Sequence, residues 1–294
     1  MKARVGYAEM IYLIMAALIA LHTIPAKAAT NSELRDFVKA GVSRANKSIH
    51  SFKGTVTRTE YVLDNGKEKN TKAKLTGAFD GKRIRISEVA ISGSSMRFEG
   101  LFDGTNSTEW ITTHDISSRI PASVRPGLKG LVKSEFRIAF DPRVDETSLL
   151  DFIDSANVVA REKFDGADCI VLEIVRPKVV NNDTSSKAKY WVAVDRGFMI
   201  QKVEVVVVFE STGKTLARQE NRTKLKEYSD GLWGPAKHTE TYYDSEGNKI
   251  TESGLTYESD FRFNIPICES DFQLRIPSGI EIYNELSGEL STVP

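Results

Sequence analysis

Excess charge of either sign is missing from this 294-residue chain, where 40 Lys and Arg are matched by 40 Asp and Glu. Without a basic field to draw in a polyanion, nucleic acid is excluded as a principal partner. Cysteine is almost absent, two residues in all, which rules out a disulfide-dense scaffold and a cysteine-based zinc site built without histidine. Histidine is scarce too. Beyond the N-terminal segment only His50, His114 and His238 occur, none at ligand spacing from another. No G-x-S-x-G, H-E-x-x-H, Walker or G-x-G-x-x-G pattern is present, and no pair of carboxylates stands apart for acid–base work. The chain is therefore read as non-enzymatic, with no metal or cofactor expected. Disorder is excluded as well, because 40% hydrophobic and 27% charged residues make a globular balance.

One long apolar run exists, and it lies at the start. Met10 to Leu21 is uncharged, follows Lys2 and Arg4, and is too short to span a bilayer comfortably. Pro25 breaks it, and Ala26-Lys27-Ala28 supplies the small residues a signal peptidase needs. Residues 1–29 are thus expected to be a cleavable signal peptide, with no cysteine following to make a lipobox. The expected location is the periplasm. Cleavage would leave one domain, residues 30–294, with a net charge of −2 once Lys2, Arg4, Glu9 and Lys27 are gone. Both cysteines, Cys169 and Cys268, fall in that domain. A disulfide between them and two buried, unpaired thiols stand as alternatives.

Thr30-x-x-Glu33 reads as a capping box, and Leu34, Phe37, Val38, Val42, Ala45 and Ile49 follow at helical spacing, which predicts a helix over about 31–48. Turn signals then punctuate strand-like runs at 64–66, 80–81, 103–104, 165–166, 195–197, 211–213, 230–231 and 245–247. Strands joined so closely must be antiparallel neighbours. The run Val203–Phe209 is nearly continuous and predicts a mid-sheet strand buried on both faces. From about 114 to 160 the alternation fails around Pro121, Pro126 and Pro142. Leu149, Leu150, Phe152 and Ile153 give a short helical stripe there, starting near Asp145 or Thr147. His238 and Glu240 share a strand face and are read as an exposed pair.

Several of these turns carry a resemblance. Ser51-Phe52-Lys53-Gly54 enters a strand after the first helix, Tyr190 to Phe198 follows a "Y-W-[ILV]-D-x-x-x-G-[FY]" pattern, Glu227 to Pro235 a "Y-x-D-G-x-x-x-P" turn, and Phe272 to Gly279 a closing "F-x-[FL]-x-x-P-x-G". Together they resemble the periplasmic lipoprotein-carrier superfamily, the LolA/LolB-like group that includes the N-terminal domain of RseB-type regulators. That resemblance implies an α+β fold: a curved antiparallel half-barrel of about 10–11 strands wrapped around the N-terminal helix and a short lid helix, with a helical insertion at about 114–160. The carriers' lid-locking arginine aligns with no residue of this sequence, and Arg143 is near it in chain position only.

The resemblance also implies a carrier or binding protein for lipid-modified or hydrophobic ligands in the cell envelope, acting as a monomer without a cofactor. Phe37, Leu149, Leu150, Phe152 and Ile153 would be the ligand-facing residues. The alternative is an envelope sensor that binds a membrane-bound regulator through protein–protein contacts.

Overall fold

A computed structural model describes residues 30–64, 67–92, 97–112, 122–126, 143–144, 147–176, 183–229 and 231–294. The expected signal peptide, Pro142 and the start near Asp145 lie outside the described residues. Helix α1 (Asn31–Ser48) opens on the capping box: Thr30 Oγ1 accepts from the Glu33 amide at 3.3 Å, and the Glu33 carboxylate accepts from the Thr30 amide at 2.7 Å. These bonds hold the Glu33 carboxyl below its ordinary range. Val38, Gly41 and Val42 form its buried stripe.

The strands β1 (Phe52–Asp64), β2 (Lys67–Phe79), β3 (Ile84–Ser92), β4 (Arg97–Phe102) and β5 (Asn106–Thr112) make one antiparallel meander. A second meander follows: β9 (Asn157–Phe164), β10 (Ala167–Arg176), β11 (Thr184–Ala193), β12 (Met199–Phe209), β13 (Thr215–Ser229), β14 (Leu232–Tyr243) and β15 (Lys249–Tyr257). Antiparallel pairing of β15 with β1 fuses the two. Beyond β5 the sheet continues through β6 (Ala122–Pro126), then β17 (Glu281–Asn284) in parallel, then β18 (Glu289–Thr292). The short β16 (Arg262–Phe263) pairs with β1. The ends of this order, β9 and β18, do not pair, so the sheet is an open half-barrel and not a closed one.

All eight turn signals fall between strands that pair. Seven of their glycines have positive φ, from 66° at Gly197 to 101° at Gly104. Gly54 of the Ser51–Gly54 motif has a different reason to be glycine. A Cβ there would lie 2.3 Å from the Cα of Phe261, so the motif lets two backbones meet while Phe52 is wholly buried beside them.

Three sequence expectations need correcting. The Val203–Phe209 run does lie inside the sheet, between β11 and β13, but only one of its faces is buried: Val203 and Val205 are buried, while Val206, Val207 and Val208 are not. The insertion is not purely helical. It contributes β6 to the main sheet and a two-stranded ladder of β7 (Arg143–Val144) with β8 (Thr147–Ser148), and Pro126 is tolerated because it ends its strand. Helix α2 (Leu149–Phe152) is one turn long and runs into a 3₁₀ turn at Ile153–Ser155. Lastly, Cys169 and Cys268 are free, and only Cys169 is buried. Cys169 sits on β10, whereas Cys268 caps an exposed 3₁₀ turn (Glu269–Phe272) and lies against Asp271 and Ser270.

Candidate functional site

Residues directly opposite across antiparallel strands share a face, so register defines the two sides of the sheet. Val203 lies opposite Asn221, then Glu240, Ser253 and Glu60 in turn. One residue pair further along the face, Thr223 lies opposite His238, then Leu255, Arg58 and Ala73. This is the face that α1 covers, and it is called the inner face.

Two apolar clusters occupy it. The first joins Val38 and Val42 of α1 to Ile170, Leu172, Ile174, Ala188, Tyr190, Val203 and Val205 of β10–β12. The second gathers Phe52, Val56, Leu75, Ile86, Phe98, Leu255, Tyr257 and Phe261, with Ile49 at the end of α1 touching it. All five residues expected to face a ligand meet in the first cluster. Leu149 and Ile153 are fully buried members of it, and Phe37, Leu150 and Phe152 pack against it half-buried. Phe37 meets the ring of Phe198 edge-on at 5.0 Å. Lys39 Nζ lies 2.6 Å from the Asp154 carboxylate and ties α1 to the 3₁₀ turn after α2. The short helix therefore rests on α1 as packed apolar structure.

Between the clusters runs a polar band that the sequence reading missed. Arg58 pairs with Glu88, which is only 1% exposed, and its Nε lies 3.0 Å from Glu60. Glu60 also accepts from the Thr71 hydroxyl at 3.2 Å. Across the band, Gln219 donates to Glu240 at 2.5 Å and to Asn221 at 3.1 Å, and the Tyr242 hydroxyl donates to Glu240 at 2.8 Å. His238 is buried, not exposed as its strand position had suggested. Its Nδ1 is 2.9 Å from the Thr223 hydroxyl, and its Nε2 has no partner among the described residues. Burial pushes the imidazole pKa down to about 4, so the ring is neutral at physiological pH. The alternation did hold a signal. In Ile84-Arg85-Ile86-Ser87-Glu88 the glutamate occupies the apolar parity, and a charge on a core parity marks a buried pair.

On the outer face a third cluster buries Ala167, Cys169, Val171 and Trp191 beneath Phe164 and Trp233. Desolvation raises the Cys169 thiol to about 11, which leaves it unreactive at neutral pH. Among the described residues no group of His, Cys, Asp and Glu could hold a metal ion, and no helix is long and apolar enough to cross a membrane.

No family model and no curated protein matches this chain. Solved structures of similar architecture do exist. An outer membrane lipoprotein-sorting protein domain from Vibrio parahaemolyticus covers 79% of this chain and 94% of its own, at 17% identity and a TM-score of 0.43. A DUF1329 family protein from Desulfovibrio piger covers 81% and 96%, at 15% identity and a TM-score of 0.45. A LolA superfamily protein from Nitrosomonas europaea covers 81% and 97%, at 16% identity and a TM-score of 0.41.

Proposed function

We propose that this chain is a non-enzymatic binding module that holds a hydrophobic or acylated ligand, a lipid or a lipid-modified protein, against the inner face of its half-barrel in the cell envelope. The observation that carries the reading is the division of that face into two apolar clusters by a polar band. An amphiphile needs both surfaces: apolar area for its tail, and hydrogen-bonding groups for its head. Each buried CH₂ contributes about 0.8 kcal/mol, so one or two acyl chains suffice for tight and reversible holding. The polar band supplies Arg58, Glu60, Gln219 and Glu240 to the head. The turn motifs at Ser51, Tyr190, Glu227 and Phe272 support the same reading by resemblance to the carrier group.

The test is to purify the protein from its native envelope and identify co-eluting lipids by mass spectrometry, with displacement of a fluorescent fatty acid as the solution readout. A stoichiometric lipid, displaced by the probe, is the expected result. Protein free of lipid that also fails to bind the probe would overturn the reading, and would favour a module that engages a membrane-bound regulator through protein–protein contacts.

A further inference from the structure

The outer face of β13 and β14 carries an arrangement that the inner-face reading does not use. Lys224 stands directly opposite Lys237, and Arg222, two residues earlier on the same face, stands opposite Thr239. Like charges facing one another across an antiparallel pair destabilise it. No carboxylate among the described residues relieves this pair: Lys224 and Lys237 are exposed and make no ion pair, whereas Arg222 leans on Glu220. The Thr239 hydroxyl has no hydrogen-bond partner among the described residues. Phe164 and Asp165, at the β9–β10 turn, form the opposite wall of a cleft of about 360 Å³ lined by these residues and by Thr223 and Lys224. Among the lining residues, Lys224, Lys237 and the Glu220-paired Arg222 stand against one carboxylate, Asp165. Further along the outer face the Lys237 row runs through Thr256 and Thr57, whose hydroxyl holds Glu258, to Lys74, and the Arg222 row through Gly254 and Thr59 to Lys72.

We propose that this cleft is a binding site for a phosphate group, carried on a small organic skeleton that packs against Phe164. A doubly charged anion between Lys224 and Lys237 turns their repulsion into attraction. The Arg222 fork and the Thr239 hydroxyl supply directional donors to its oxygens. Two compact ammonium groups and one guanidinium suit a phosphate better than a singly charged carboxylate, and the cleft is larger than a bare ion requires. The site lies on the face opposite the inner clusters, so it stands or falls independently of lipid binding there.

The test is thermal unfolding with increasing inorganic phosphate, against sodium chloride at matched ionic strength, for the wild type, K224Q/K237Q and K224R/K237R. Ligand binding raises the midpoint by mass action. The expected result has three parts: phosphate raises the wild-type midpoint beyond chloride; the glutamine pair starts higher than wild type without phosphate and responds about tenfold more weakly; and the arginine pair keeps the response. A shift of equal size in the wild type and the glutamine variant, or none in the wild type, overturns the site. Glycerol phosphate and vesicles of phosphatidylglycerol in phosphatidylcholine then separate the sources. Vesicle co-sedimentation that is lost in K224Q/K237Q assigns the phosphate to a lipid headgroup, and response to glycerol phosphate without co-sedimentation assigns it to a soluble ester.

Discussion

Gly41 offers a sharp test of how α1 is seated. It lies in the buried stripe of the helix, where alanine would favour the folded state by about 1 kcal/mol on helix propensity alone. A Cβ at Gly41, however, would lie 2.1 Å from Cδ1 of Phe198 and 2.3 Å from Cγ and Cε1, inside any tolerable contact. Phe198 has little freedom to withdraw. It sits at φ 60° in the turn between β11 and β12, with Phe37 edge-on at 5.0 Å. Overpacking of this kind costs about 1–3 kcal/mol. Gly41→Ala is therefore expected to destabilise by about 1 kcal/mol net, lowering the midpoint by about 3 °C for a domain of this size. In a Phe198→Ala background the obstacle is gone, and the backbone strain at 198 is unchanged because alanine bears a similar cost there. Gly41→Ala should then stabilise by about 1 kcal/mol. A double-mutant cycle in urea should give a coupling of about 2 kcal/mol with opposite signs in the two backgrounds. Equal stabilisation in both would refute the docking of α1 against the β11–β12 turn.

Three further outcomes follow from buried groups. His238 has a folded pKa of about 4 against an ordinary 6.5, so its contribution is complete above pH 6.5 and is lost as pH falls toward 4. Between pH 7 and 4.5 the wild type should lose about 2.5 kcal/mol more than His238→Gln, as read from urea midpoints; parallel curves would remove the buried neutral imidazole from the account. Glu88→Ala, which removes the buried carboxylate paired with Arg58, should cost about 3 kcal/mol, and Arg58→Met with Glu88→Leu should recover most of it; an unchanged single-variant midpoint would show that the pair carries no stability. Under native conditions a maleimide should label Cys268 and spare Cys169, with the second thiol reacting only in denaturant. Native protection of both thiols, lifted by a reductant, would contradict the free thiols.

What the sequence made legible was local. Turn glycines beside aspartate or asparagine report positive φ and hairpin closure within a few residues, so the meanders and their breaks could be read, as could the capping box of α1. Pairing between distant segments leaves no such mark. Nothing in Ile282 or Ala122 announces that β17 runs parallel to β6. For the same reason Phe37 and Val38 read alike in the helical stripe although only Val38 is buried and Phe37 is half-buried: periodicity gives the stripe of a helix, and the partner surface sets its rotation. Gly41 proved to lie in the buried stripe with Val38 and Val42, close against the ring of Phe198. His238 looked like one half of an exposed pair because alternation says which residues share a face but not which face is covered. The clefted lysines were equally hidden, since Lys224 and Lys237 become neighbours only through the β13–β14 register.

The join between β1 and β15 also governs the order in which the molecule can assemble. Each meander grows by hairpins that close over about a dozen residues, whereas the join brings together groups 205 residues apart, as in the bond from the Thr55 amide to Asp260. Closing a loop of that length costs about 2.5 kcal/mol more than closing a hairpin. Until it closes, β1 and β15 each expose a row of unpaired backbone groups, the surface on which a second copy of the chain could add a strand. Loop entropy therefore predicts that the two meanders form before the join, and that the chain is most exposed to aggregation in the interval before it closes.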